Sequence, residues 1–349
     1  MRWMLYGANG YTGELIAREA VRCGLAPLLA GRSAQRVEAL ARELGLEARV
    51  FALDDGPAAG AGLEGIGLVL NCAGPFSATA APLLSACLAA RAHYLDITGE
   101  IAVFELAQAR SAAARVAGVV LCPGVGFDVV PTDCVALTLK DALPAATHLA
   151  LGFDGKSAFS RGTARTMAEG LGQGGCVRRD GVLVRVPLGF RDRRIDFGDG
   201  SKLAVTIPWG DVSTAFHTTG IPNVEVYVPL SPGRIAALRR LNYLRWLLGL
   251  APVQSFLKSR IDRSPPGPDE RERAATPTHV WGEARDASGA TRSARLVTAN
   301  GYTVTVHAAL GVVQRLLAGP VPAGATTPAR LMGARYVETL PGSSPISVT

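Results

Sequence analysis

The chain has 349 residues, of which 48% are hydrophobic but only 6% aromatic, so we expect a core built mostly of alanine, leucine and valine. This length favours two domains over one. The formal net charge is +7, yet the arginines that carry most of it are scattered and not interleaved with aromatic residues. That pattern argues against nucleic-acid binding and suits an anionic cofactor or substrate.

The six cysteines form no Cys-x-x-Cys pair, and several lie inside apolar runs. This usage is typical of reduced, buried thiols in a cytoplasmic protein, and without paired spacing no metal site is predicted. The chain enters a strand-like run directly, so no signal peptide is expected. No apolar stretch reaches the roughly 18 residues that a membrane span needs.

In residues 1–125, short apolar runs alternate with helical stretches, as a doubly wound parallel sheet requires. The predicted strands are Trp3–Tyr6, Pro27–Ala30, Arg49–Leu53, Gly67–Asn71, His93–Ile97 and Val119–Cys122. The predicted helices are Thr12–Arg22, Ala34–Leu44, Ala80–Arg91 and Val103–Val116. The sequence therefore predicts an α/β fold that opens with a Rossmann dinucleotide-binding domain.

Residues 126–320 favour strands and predict an α+β domain on a mostly antiparallel sheet, serving substrate binding or dimerisation. The predicted strands are His148–Phe153, Val182–Val186, Leu203–Pro208, Val224–Val228 and the hairpin Val280–Arg285 with Ala294–Thr298. The predicted helices are Pro131–Leu143, Thr163–Leu171, Ile235–Leu248 and Tyr302–Leu317, the last with an extended start. The Pro-rich, charged Ser264–Arg273 predicts a surface loop, and the polar tail beyond Pro341 should be frayed.

A glycine-rich run, Gly-Ala-Asn-Gly-Tyr-Thr-Gly, lies between the first predicted strand and the first helix. Glycine lets the backbone turn sharply, and a bare backbone lets a pyrophosphate approach the helix N-terminus, where free N–H groups favour negative charge. The position of the run, ahead of further strand–helix units, distinguishes it from an ordinary turn. The expected cofactor-binding residues are Gly7, Asn9, Gly10, Tyr11, Thr12 and Gly13.

The end of the second predicted strand indicates which dinucleotide binds. Sites that prefer NAD place an acidic residue there to bind the ribose 2′-hydroxyl. Here the chain reads Ala-Gly-Arg-Ser, and Arg32 with Ser33 can bind a 2′-phosphate instead. The sequence therefore favours NADP(H) over NAD(H), with a solvated surface role as the alternative for Arg32.

Three further loops follow strands at the same expected edge of the sheet, where ligands bind in open α/β folds. They are Asn71–Phe76, Asp96–Glu100 and Pro123–Asp128. Each loop alone is as typical of a turn as of a ligand contact. The predicted cofactor contacts in them are Cys72, Gly74, Pro75, Phe76, Thr98 and Gly99.

The chain resembles the saccharopine dehydrogenase-like oxidoreductases, in particular the branch of trans-acting enoyl reductases. The stretches that carry the resemblance are Tyr6–Gly13, Ala30–Arg32, Asn71–Phe76, His93–Glu100, Pro123–Asp133, Ser160–Met167 and Thr327–Gly342. The resemblance implies a Rossmann domain followed by an α+β domain, with the active site between them. It also implies that residues 321–349 return to the Rossmann domain.

Hydride transfer is accompanied by the transfer of one proton, which a group of the protein must donate or accept. No tyrosine has a lysine four residues on, so the Tyr-x-x-x-Lys pair of short-chain dehydrogenases is absent from the sequence. The candidates for proton work are Asp96, Asp128, Asp133, Lys156, Arg161 and His217, of which we select Asp128, His217 and Arg161 as catalytic candidates. A helix cap is favoured for Asp133, and a positioning or surface role for His217. Ser160–Thr163 either caps a helix or binds an anionic substrate group.

The sequence thus predicts an NADP(H)-dependent oxidoreductase that transfers hydride to an activated C=C, as in an enoyl thioester, or to a C=N or C=O group. Enoyl reduction suits the lack of an obvious acid/base pair, because backbone donors can hold the developing enolate. The alternatives are a non-catalytic NADP(H)-binding redox sensor and a lipid-associated partner protein. For the apolar Leu241–Leu257, a helix packed on its own protein or a partner, such as a second copy in a homodimer, is favoured over membrane-surface contact.

Overall fold

The computed structural model describes residues 1–54 and 56–349. The chain forms two compact units. The first comprises Met1–Asp128 and Tyr302–Met332, and the second comprises Val129–Gly301 and Gly333–Thr349. Both units are therefore built from segments that are distant in the sequence.

Up to residue 128, strands and helices alternate as predicted. The strands are β1 (Trp3–Tyr6), β2 (Leu28–Gly31), β3 (Ala48–Val50), β4 (Leu68–Asn71), β5 (His93–Asp96) and β6 (Val120–Cys122). The helices are α1 (Tyr11–Arg22), α2 (Ala34–Leu44), α3 (Gly56–Gly62), α4 (Phe76–Ala90), α5 (Ile101–Ala109) and α6 (Ser111–Ala117). The single helix predicted over Val103–Val116 is wrong, because the backbone breaks at Arg110 before α6 begins.

Between residues 129 and 300 strands dominate. The strands are β7 (Ala146–Gly155), β8 (Gly175–Arg179), β9 (Val182–Val186), β10 (Asp192–Asp196), β11 (Ser201–Thr206), β12 (Asn223–Pro229), β13 (Thr278–Asp286) and β14 (Thr291–Thr298). The helices are α7 (Val130–Ala142), α8 (Arg161–Leu171), α9 (Asp211–Thr219), α10 (Pro232–Leu241), α11 (Arg245–Leu248), α12 (Ala251–Asp262) and α13 (Glu270–Ala275), with a 3-10 turn at Asn242–Leu244.

The last part of the chain contributes α14 (Gly301–Leu317), β15 (Gly324–Ala325), α15 (Pro328–Met332), a 3-10 turn at Tyr336–Thr339 and β16 (Ser347–Val348). Four predictions fail between residue 129 and residue 349. The single helix predicted over Ile235–Leu248 is interrupted by the 3-10 turn at Asn242–Leu244. Helix α14 begins without an extended start, α13 occupies part of the predicted loop, and β16 pairs with β14 although the tail was expected to be frayed. In each case contacts with distant segments decide the local structure over propensity.

The first unit contains a seven-stranded parallel sheet in the order β15-β6-β5-β4-β1-β2-β3. Strands β1, β2 and β4 are buried along their whole length, as their apolar sequences predict for strands covered on both faces. The chain crosses between β1 and β4, the point at which an open parallel sheet leaves a ligand crevice at its carboxyl edge.

The second unit contains a nine-stranded sheet with the main order β10-β11-β12-β7-β13-β14-β16. Strands β7 and β12 are parallel, and the other pairs are antiparallel. The predicted hairpin around Ser288 and Gly289 forms between β13 and β14. The predicted fold class, a Rossmann sheet plus a mostly antiparallel α+β sheet, is confirmed.

Candidate functional site

The glycine-rich run leaves β1 through a turn that only glycine fits. Gly7 has a φ of +79°, and a Cβ placed there would lie 2.6 Å from the backbone nitrogen of Ala73. The N–H groups of Gly7 and Ala8 donate to the carbonyl of Ala30, at 2.8 and 3.2 Å. The turn is therefore fixed between the ends of β2 and β4.

The same run opens helix α1 with room for an anion. Gly10 is the N-cap residue, and no side chain caps the helix there. A Cβ on Gly13 would overlap the carbonyl oxygen of Gly7, so the helix lies directly against the turn. Backbone N–H groups and the positive end of the helix dipole are thus left to a ligand, which is what a pyrophosphate requires.

The end of β2 places a cation beside this turn. Arg32 directly follows β2, is exposed, and forms no ion pair with any residue that the structure describes. Burial raises the pKa of Tyr6 to about 12, and the nearby positive charge of Arg32 opposes that rise. Ser33 is the N-cap residue of α2, but its side chain makes no capping bond. Arg32 and Ser33 therefore lie side by side at the carboxyl end of β2.

The Asn71–Phe76 loop after β4 is held by its own neighbours. The Asn71 side chain accepts a hydrogen bond from the N–H of Ala73 at 3.0 Å and donates to the hydroxyl of Thr79 at 3.2 Å. That hydroxyl donates to the carbonyl of Ala73 at 2.6 Å. Burial, with the nearby charge of Asp96, raises the pKa of the Cys72 thiol well above its ordinary range, which favours the protonated thiol.

A buried carboxylate ties the loops that follow β5 and β6 together. Asp96 accepts hydrogen bonds from the N–H groups of Thr98 and Gly124, at 3.0 and 2.9 Å, and from the hydroxyl of Tyr94 at 2.7 Å. Burial raises the pKa of Asp96 to about 6, although these hydrogen bonds oppose the rise. Because all three bonds are internal, Asp96 positions loops in this structure.

A second bond joins the loops after β4 and β5. The N–H of Phe76 donates to the carboxylate of Glu100 at 2.9 Å. The hydrogen bonds of the Tyr94, Asn71 and Glu100 side chains were not predicted. The bond of Asn71 could have been predicted, because a short polar side chain at a strand end commonly binds the backbone two residues further along the chain.

Asp128 lies against one of the predicted cofactor-binding residues. Its carboxylate oxygen lies 3.1 Å from the position that a Cβ on Gly99 would take. The side chain is partly exposed, and it forms no hydrogen bond or ion pair with a described residue. Burial raises the pKa of Asp128 to about 7. A carboxyl group of this kind can hold or release a proton near neutral pH.

The other two catalytic candidates lie in the second unit. The Arg161 side chain donates to the carbonyl of Ser264 at 2.7 Å, and its backbone N–H donates to that of Pro266 at 3.1 Å. Ser160 caps α8 by accepting from the N–H of Thr163 at 3.2 Å, as one of its two predicted roles requires. His217 lies in α9, a helix that the sequence did not predict, with its ring 5.4 Å from that of Phe216.

The prediction that Asp133 caps a helix is wrong. Helix α7 begins at Val130 after the N-cap residue Val129, which places Asp133 at the fourth helical position. Its buried carboxylate accepts a hydrogen bond from the hydroxyl of Thr218 on α9. The contact joins two helices of the second unit.

The first unit, with its glycine turn, uncapped helix and cation at the switch point of a parallel sheet, is a dinucleotide-binding domain of the Rossmann class. Residues 3–122, within the first unit, match the family model of the saccharopine dehydrogenase NADP binding domain. The predicted resemblance and the predicted NADP(H)-binding domain are both confirmed.

Curated relatives carry names from the same group. A Mycobacterium tuberculosis protein named as a trans-acting enoyl reductase is 33% identical over 187 residues, which cover 48% of this chain and 43% of the relative. The human saccharopine dehydrogenase-like oxidoreductase is 31% identical over 150 residues, covering 37% of this chain and 35% of the relative. The matches thus span less than half the length of these relatives.

The fold of the chain is that of a solved saccharopine dehydrogenase (L-Glu forming) from Saccharomyces cerevisiae. The TM-score is 0.66 at 12% identity, over 100% of this chain and 99% of the other. At this identity the likeness shows the fold alone. Among the described residues, no helix has both the length and the apolar character needed to cross a membrane.

Proposed function

We propose that the protein is an NADP(H)-dependent oxidoreductase that transfers hydride to an activated C=C, as in an enoyl thioester, or to a C=N or C=O group. One observation carries the proposal. A turn that only glycine fits opens an uncapped helix beside Arg32, a cation with no described ion-pair partner. The space and the charge together match a pyrophosphate and a 2′-phosphate.

The residues that would hold the cofactor come from four strand ends. The backbone from Gly7 to Gly13 would bind the pyrophosphate, and Arg32 with Ser33 would bind the 2′-phosphate. The loops after β4 and β5 would line the nicotinamide end, with contacts at Cys72, Gly74, Pro75, Phe76, Thr98 and Gly99. The bonds from Asp96 and Glu100 support this assignment because they fix those loops in place without the ligand.

When bound, the cofactor supplies the hydride. Asp128 is the group of the first unit best suited to the accompanying proton. Its pKa is raised to about 7 and it has no described partner, so it holds a proton at its carboxyl oxygen near neutral pH. Gly99 leaves the space beside that oxygen open. Arg161 and His217 stay catalytic candidates in the second unit.

An enoyl thioester is the acceptor that the names of the mycobacterial relatives support. Hydride addition to such a substrate leaves negative charge on the thioester oxygen, which backbone N–H groups can bind without a dedicated acid/base pair. The human relative's name specifies no acceptor, so C=N and C=O compounds belong in the same screen.

A calorimetric titration with NADPH and NADH tests the cofactor proposal on the wild type, Arg32→Glu and Arg42→Glu. Arg42 is the matched control, an exposed arginine in the last turn of α2 that has no ion pair with a described residue. We expect tight NADPH binding in the wild type and in Arg42→Glu, and loss of the preference over NADH in Arg32→Glu. Absence of binding to either nucleotide by the wild type would contradict the proposal.

NADPH oxidation with enoyl thioesters, imines and carbonyl compounds then tests the reaction. Turnover with one class identifies the acceptor, and Asp128→Asn should lower the rate constant while leaving the affinity for NADPH unchanged. Tight NADPH binding with no turnover on any class would overturn the catalytic part and favour a redox sensor.

A further inference from the structure

The second unit carries an exposed apolar surface on the helical segment Pro232–Arg263, which we name the α10–α12 face. Tyr243, Trp246 and Phe256 expose 84%, 69% and 65% of their surface. Leu244 and Leu250, between them in sequence, expose 52% and 43%. Helix α11, which carries Trp246, contacts both the 3-10 turn of Tyr243 and helix α12 of Phe256. Large aromatic side chains are therefore presented to solvent by adjoining elements.

One side of this segment is already occupied by the protein itself. The side chain of Gln254 on α12 donates to the carbonyl of Ala168 on α8, at 2.9 Å. Lys258 pairs with Glu169 at 2.6 Å, and Asp262 pairs with Arg165. These three α12 residues are spaced four apart and so share one side of the helix. This side of α12 therefore packs on α8, as the prediction of packing for this segment requires.

The opposite side of α12 carries Phe256 and Arg260. Successive residues of a helix are rotated by about 100°, which places Phe256 about 200° around the axis from Gln254. Arg260 follows Phe256 by four residues and lies above it. An aromatic ring and a guanidinium group therefore point away from α8 together.

The charge of the segment is strongly positive. Residues 232–263 hold seven basic side chains and one acidic one, Asp262, for a formal net charge of +6 out of +7 for the whole chain. Two of the basic groups, Arg239 and Lys258, pair with Asp192 and Glu169. The exposed arginines that form no ion pair with any described residue are Arg234, Arg240, Arg260 and Arg263.

We propose that the α10–α12 face docks on the surface of an anionic lipid bilayer. Tryptophan and tyrosine favour the headgroup region of a membrane, and each arginine near an anionic surface contributes about 1 kcal/mol, or roughly fivefold in binding. The segment is broken into short helices, so it would lie in the interface and not cross it. A second copy of the face is a poor partner, because two surfaces that each carry several arginines without a described ion-pair partner repel each other.

Vesicle co-sedimentation at low salt tests the proposal with the full chain. The probes are vesicles of phosphatidylcholine alone and of phosphatidylcholine with about one third phosphatidylserine. We expect sedimentation with the anionic vesicles only, and weaker binding as salt is raised. Trp246→Glu with Phe256→Glu should lower the partition at least tenfold. Val116→Glu, at an apolar position 90% exposed on α6, is the matched control and should not change it.

A second double variant tests the contribution of the arginines on the α10–α12 face. Arg240→Gln with Arg260→Gln should reduce binding to the anionic vesicles by about 25-fold, since two contributions of about 1 kcal/mol are removed. Arg42→Gln, which removes an exposed arginine from the first unit, should leave binding unchanged. All these variants should keep the thermal unfolding midpoint and the NADPH affinity of the wild type.

Tryptophan fluorescence gives a readout that does not depend on a disruptive substitution. Anionic vesicles should shift the wild-type emission to shorter wavelength, and Trp246→Phe should lose the shift but keep sedimentation. Sedimentation with neither vesicle, or equal binding to both, would overturn the proposal. So would a concentration-dependent dimer that Trp246→Glu with Phe256→Glu dissociates, because a second copy would then cover the face.

Discussion

The carboxyl edge of the first sheet and the contact between α7 and α9 in the second unit differ in how their polar side chains are bonded. At the edge, Arg32 and Asp128 have no described protein partner, while the loops around them are fixed by Asp96 and Glu100. In the second unit, Asp133 is bonded to another segment of the same unit. A backbone fixed by internal bonds beside side chains without a described partner is what the proposed binding site requires.

The largest effect that would test this comparison is expected at Gly7. Gly7→Ala places a Cβ 2.6 Å from the Ala73 nitrogen at a φ of +79°, so strain and overlap together should cost about 2–5 kcal/mol. Gly24→Ala is the control, because Gly24 has a φ of +75° but open space around it. It should lose only about 1–2 kcal/mol in urea unfolding and keep NADPH binding. Equal losses in both variants would show that the turn is not sterically fixed.

The next effect concerns charge at the same edge. Arg32→Glu should weaken NADPH binding by about 10- to 100-fold, since a hydrogen bond to a charged group contributes roughly 1.5–3 kcal/mol. NADH lacks the 2′-phosphate, so its affinity should change little. Calorimetry measures the affinities for NADPH and NADH. A parallel loss of both would contradict the assignment of Arg32 to the 2′-phosphate.

Asp128 should make stability depend on pH. Its pKa in the folded state is raised to about 7, whereas an unfolded aspartate titrates near 4. The folded protein therefore holds this proton more tightly, and the stabilisation is full below pH 4 and lost as the pH rises to 7. The free energy of unfolding should fall between pH 4 and pH 7 by on the order of 2 kcal/mol less in Asp128→Asn than in the wild type, a figure that allows for the partial exposure of Asp128. Urea unfolding of both proteins between pH 4 and pH 7 measures this difference. If the free energy of unfolding varies with pH in the same way in both, Asp128 is not desolvated.

The smallest effect is expected inside the second unit. Thr218→Val removes the hydroxyl that donates to the buried Asp133 carboxylate, which should cost about 1 kcal/mol because Asp133 keeps other contacts. Thr218→Ser keeps the hydroxyl and should lose less. Neither variant should alter NADPH affinity. A change in NADPH binding without a change in unfolding would show that this contact serves the ligand.

Features that act through the backbone were predictable from the sequence. The apolar runs of β1, β2 and β4 and the glycine run after β1 each depend on a few consecutive residues. Their periodicity and residue types therefore predicted the parallel sheet and the position of the nucleotide turn.

Features that depend on distant segments were not predictable. Helix α9 has a threonine-rich sequence with weak helix propensity, and burial against α7 decides its structure. The sequence predicted that the loops of Asp96 and Gly124 share one edge of the sheet. It did not predict the hydrogen bond between these two residues, 28 positions apart, because that bond depends on where the Asp96 side chain points. The arrangement of the site around its loops therefore needed the structure.

Strand β15 has a consequence for the order in which the chain can fold. Its residues Gly324–Ala325 pair with β6, and the hydroxyl of Thr305 on α14 accepts a hydrogen bond from the N–H of Phe127. A ribosome-bound chain must therefore emerge as far as residue 325 before the first sheet gains its last strand. Until then β6 is an edge strand, whose unpaired backbone N–H and C=O groups can pair with strands of other chains. A fragment that ends at residue 128 should accordingly aggregate during synthesis, whereas the full chain covers that edge.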